Sequence, residues 1–121
     1  MSSVTENPRT GDFLLSEGNG TISRENEILA SGQHLLAGAV LGQITVGGKF
    51  TALAPAATDG SQTAAAILWD NTDAAAADTA VVVIARDAEV KADALVWPAG
   101  ITANQKTTAI AQLAELGIVL R

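Results

Sequence analysis

The chain offers little that could do covalent chemistry. Its one histidine, His34, lies in GQHLL, and cysteine is absent. A catalytic imidazole needs a nucleophile and an orienting partner in a recognisable constellation, and no such constellation surrounds His34. It reads as an incidental structural or surface histidine. One imidazole without thiolates cannot build a zinc site. ATDGS at 57–61 resembles a calcium loop but lacks the regular oxygen series and the closing Glu, so it reads as a turn. GQITVGGKF at 42–50 has glycines and Lys49, but neither the Walker spacing nor a following helix pattern to hold a phosphate. The acidic residues are scattered, without the pairing that acid–base catalysis uses. No catalytic, metal or cofactor site is expected.

Apolar residues in unusual places are more informative. Trp69 and Trp97 are two of only four aromatic residues, since Phe is 2 and Tyr 0. They could form a stacking platform for sugars or bases, but in so aromatic-poor a chain they read first as structural anchors. Phe13, Leu14 and Leu15 form an apolar knot inside an otherwise polar lead. Either a flap folds back on its own domain, or the segment orders on a partner by adding a strand or filling a pocket. The sequence leaves both open.

The elements that hold these residues follow from periodicity. EILAS at 27–31 makes a short strand, and AVLGQITV places Val40, Gly42, Ile44 and Val46 at period two. Gly47-Gly48 then predicts a tight two-residue turn into KFTALA. Gly38 and Gly42 suggest bends or close backbone approach. TAAAILW is a strand, and DNTDAAAADT is a loop whose short Ala run cannot nucleate a helix alone. The run from Ala80 to Ala85 predicts a strand covered on both faces, by core or by a neighbouring subunit. Pro98 keeps Trp97 extended. Thr102 and Gln105 form a capping box, with Ile110, Leu113, Ala114 and Leu116 as the apolar stripe. Gly117 closes the helix, and Ile118–Leu120 return as a last strand.

Composition sets the remaining bounds. At 121 residues, with 48% hydrophobic content rich in alanine, the core is thin for one domain. Without cysteine or metal ligands, oligomerisation is the remaining source of stability. A net charge of −6 argues against nucleic acid. No apolar run approaches a membrane span, and no secretory signal is visible, which suggests synthesis in a cytoplasm.

SREN at 23–26, LASGQHLLAGAVLGQITVGGKF, DGSQTAAAIL, RDAEV, LVWP and GIVLR occur in a characteristic order and spacing. Over residues 23–121 the chain resembles the head decoration proteins of tailed bacteriophages, the family of lambda head protein D. The resemblance implies a mainly β, β-clip-type domain at 25–121 with one short C-terminal helix, and a flexible N-terminal arm at 1–24. It implies a homotrimer on the outer surface of the expanded head, at local threefold positions. There it would bind the major capsid protein and stabilise the virion against packaged-DNA pressure, without enzymatic activity or cofactor. Phe13, Leu14 and Leu15 are then candidate capsid contacts, and Trp69, Trp97, Pro98 and Gly117 structural anchors. An arm of this kind predicts that deleting residues 1–22 leaves the trimer folded. Two alternatives remain: another minor phage structural protein, or a lipoyl- or biotinyl-like carrier with Lys49 modified at its hairpin. Gly48 and Phe50 flank that lysine unlike the carriers' neighbours.

Overall fold

The computed structural model describes residues 10–18, 20 and 22–121. In chain order these form β1 (Leu14–Glu17), β2 (Arg24–Leu29), β3 (Gln33–Leu35), β4 (Val40–Gln43), β5 (Phe50–Ala52) and β6 (Ala64–Leu68). There follow β7 (Thr72–Ala74), β8 (Thr79–Ile84), β9 (Ala88–Val90), a 3-10 turn, α1 (Ala103–Glu115) and β10 (Ile118–Leu120). The fold is mainly β with one C-terminal helix, as expected.

Five strands close into a barrel in the order β2-β5-β4-β6-β8. Its longest seam pairs β2 with β8 antiparallel, from Arg24 opposite Ile84 to Leu29 opposite Thr79. Closure leaves the barrel without an open edge. Outside it, β9 is sandwiched between β1, antiparallel, and β10, parallel. β3 and β7 form a separate antiparallel ribbon that places exposed His34 opposite Asp73.

The barrel strands are apolar on both faces because both faces are used. Leu41, Leu68, Val81 and Val83 join Leu29 and Phe50 in one buried cluster, to which all five barrel strands contribute. Their immediate neighbours Val40, Ile67 and Ile84, which alternate to the other face, join a second cluster with Phe13, Val90, Leu113 and Ile118, under the three-stranded sheet and the helix. Burying residues of this type contributes about 1.5–3 kcal/mol each. This double use accounts for most of the continuous run at 80–85.

The helix start is as the sequence predicts. The Thr102 hydroxyl accepts from Gln105 N (3.1 Å), and Thr102 N donates to the Gln105 side chain (2.9 Å). At the other end Gly117 has φ +83°, and its N–H reaches Ala114 O at 2.9 Å. That left-handed geometry disfavours any side chain.

Four local expectations change. The hairpin ladder extends through Ile44 N donating to Lys49 O (2.8 Å), so Thr45–Gly48 make a four-residue turn rather than a two-residue one. Residues 72–74, read as loop, pair with β3. The helix buries Leu113 as expected, but its other buried residue is Ala109, and Ile110, Ala114 and Leu116 are exposed. Residues 14–17, assigned to the arm for their polarity, are a strand of the three-stranded sheet. Gly42 meets the expected close approach: a Cβ there would run into the Ser61 carbonyl oxygen.

Candidate functional site

Residues 10–18 form a strap across the barrel wall. Gly11 N donates to Trp69 O (2.9 Å), and the Thr10 hydroxyl donates to Asp70 (2.7 Å). Lys91 N donates to Phe13 O (2.8 Å), and Gly18 N donates to Asp87 O (3.0 Å). The strap's far end is locked by Ser23, fully buried, whose hydroxyl accepts from Gly18 N and donates to Asp87 O, both at 2.8 Å. Arg24 clasps Glu17 with two hydrogen bonds, 2.7 and 3.1 Å, a fork geometry that lysine cannot reproduce.

Phe13 is the plug of this strap. It is 1% exposed and meets Trp69 edge-on, with ring centroids 6.1 Å apart. The Trp69 ring is further occupied by the Arg24 guanidinium, 4.0 Å from its centroid, and by Gly11, where a Cβ would stand 2.5 Å from the ring. It is half-buried and engaged by its own chain, which disfavours a stacking platform. Trp97 and Pro98 are also half-buried, Trp97 packing against the same cluster with Lys106 5.5 Å from its ring centroid.

The candidate arm contacts therefore separate. Phe13 is core, Leu14 is half-buried against it, and Leu15 is 48% exposed at an irregularity in the β1–β9 register. Of the two readings, the flap folded back on its own domain describes Phe13 and Leu14. Of the arm expected at 1–24, residues 1–9, 19 and 21 lie outside the described residues. The signal that could have placed Phe13 was the amphiphilic run FLLSE itself, read as a strand rather than as a peptide awaiting a partner.

Lys49 is not at the hairpin tip. It pairs with Asp78 at 2.6 Å, and Val46 takes the tip, 87% exposed. The hydrogen bond from Lys49, then that from Ser31 N, hold the Asp78 carboxyl below its ordinary value of 3.8. A carboxyl depressed in the folded state stabilises the fold above its unfolded value, and that contribution fades as pH falls through the lower folded value. Asp78→Asn should thus flatten the decline of Tm between about pH 5 and pH 2 relative to the native chain. Identical acid limbs in the two chains would show that Asp78 plays no part in it. Among the described residues no group of three or more His, Cys, Asp or Glu could hold a metal ion.

The family model described as Bacteriophage lambda head decoration protein D matches residues 3–118. The chain belongs to that family. No curated protein matches it. The match extends into the lead, ahead of the residues 23–121 on which the resemblance rested. Head decoration is a structural role exercised on the phage capsid, so the working parts of this decoration protein are the surfaces that face the capsid.

Proposed function

We propose that this head decoration protein is a cementing trimer. Three copies sit on the outside of the expanded head at local threefold positions and hold neighbouring major capsid protein subunits against the pressure of packaged DNA. Its role is mechanical, with no substrate and no cofactor. The observation that carries this reading is family membership over nearly the whole chain. A core rich in alanine and poor in aromatics supports the trimer, because association supplies burial that one copy lacks.

The capsid contact is proposed for the residues ahead of Thr10 together with Leu15, with the folded body beginning at the strap. Phe13 and Leu14 serve that contact only by anchoring its base. An extended segment that adds a strand to a capsid edge gains backbone hydrogen bonds with little demand on side chains. Ordering it costs about 1 kcal/mol or more per residue. Three arms on one trimer offset that cost by avidity, commonly ~10²–10⁴ for linked modules.

Light scattering on the purified protein should give the mass of three chains. Mixed with empty expanded shells and imaged, it should add threefold density to the outer surface and raise the temperature at which shells rupture. A single-chain mass at micromolar concentration with undecorated shells would overturn the proposal.

A further inference from the structure

Only part of the outer face of β8 is covered. Ile84 is fully buried beneath the strap, but Val82, two residues back, is half-buried and Ala80 is exposed. Opposite Ala80 on β2, Ile28 is 41% exposed. Ala80 and Val82 form the floor of a groove of about 560 Å³, with Trp69, Asp70 and Asp73 on its rim. Much of the rim's hydrogen-bonding capacity is spent internally. One Asp70 oxygen accepts from Thr10 and from Asn71 N, the Asn71 side chain accepts from Ala37 N, and one Asp73 oxygen accepts from Ala75 N. A small polar ligand is therefore poorly served there. An apolar floor with an acidic rim suits a protruding apolar side chain beside a cation.

The chain carries such a feature. Val46, at 87% the most exposed of its large apolar residues among those described, stands on the Thr45–Gly48 turn. The turn is braced by Thr45 N donating to Asp59 O (2.8 Å) and by the Gln43 side chain donating to Gly48 O (3.0 Å). Residues 43–50 contain no acid, and their one base, Lys49, is held by Asp78 of its own copy, whereas the groove lining contains Asp70 and Asp73 and no base. Turn and groove are neighbours on the same copy, since Lys49 bonds Asp78, next to Thr79 at the groove's end. Ring closure requires each copy to offer two different patches. In a ring of three both patches flank the axis and lie close together, whereas patches on opposite sides of a molecule propagate open chains.

We propose that the groove over Ala80 and Val82 receives the Val46 turn of a second copy, closing a head-to-tail ring of three. This rests on the trimer reading above and adds where the copies touch. Val46→Glu changes a side chain already in solvent, so the single chain should fold with an unchanged circular dichroism spectrum. Its mass by light scattering should fall from three chains to one at micromolar concentration. Because the natural chain lacks cysteine, Val46→Cys combined with Ala80→Cys should give covalent dimers and trimers on non-reducing gels, and neither single variant should. A Val46→Glu chain that keeps the three-chain mass, or a paired-cysteine chain without an intermolecular ladder, overturns the groove assignment and leaves the trimer standing. A native chain of single-chain mass overturns both.

Discussion

Phe13→Ala should lower the unfolding free energy by about 3–5 kcal/mol, the range for emptying a buried aromatic site. The ring is 1% exposed and shares a cluster with Ile84, Val90, Leu113 and Ile118. Those neighbours come from the barrel wall, the three-stranded sheet and the helix, so none can move into the vacated space without dragging a hydrogen-bonded element. Trp69 would also lose its edge-on partner. Leu15, two residues away and 48% exposed, is the internal control: Leu15→Ala should change stability by no more than about 0.5 kcal/mol. Chemical denaturation at one fixed chain concentration measures both, since the stability of an oligomer depends on concentration. Equal effects at 13 and 15 would show that the strap is not packed.

Truncation should produce the larger contrast. Removing residues 1–9 is expected to leave Tm unchanged, because the strap's hydrogen bonds and buried surface in the described residues begin at Thr10. Removing residues 1–18 deletes Phe13, Leu14 and β1 together, uncovers one edge of β9 and strips the Trp69 ring of Gly11. That loss exceeds the Phe13→Ala effect, and small domains hold only about 5–15 kcal/mol in total. The shortened chain should therefore be largely unfolded at 37 °C by circular dichroism. This reverses the expectation, drawn from the polarity of the lead, that residues 1–22 are dispensable for folding. On shells the two deletions test different things. The 1–9 deletion should fold and decorate weakly, whereas full decoration by that chain would remove the lead from the proposed capsid contact.

Much of this protein was legible without coordinates, wherever one physical cause acts over a few residues. The capping box at Thr102 and Gln105, the helix stop at Gly117 and the terminal strand each follow from local hydrogen bonding and backbone sterics. So did the crowding at Gly42. The hairpin partners were right, but the turn was read too short because Gly47-Gly48 outweighed the ladder bond at Ile44.

What the local pattern cannot express is which surface covers which. VVVI reports that both faces of a strand are apolar, but the barrel decides that Val81 and Val83 point inward while Ile84 meets the strap. FLL in a polar lead reports an apolar knot, but only the distance to Trp69 decides that the knot belongs to its own chain. The stripe on α1 keeps Leu113 but takes Ala109 in place of Ile110, Ala114 and Leu116, a choice set by what the helix packs against. Short-range propensity acts along the chain and can be read there. Burial is a contest among distant segments for the same apolar surface, and only the folded molecule records which segment won.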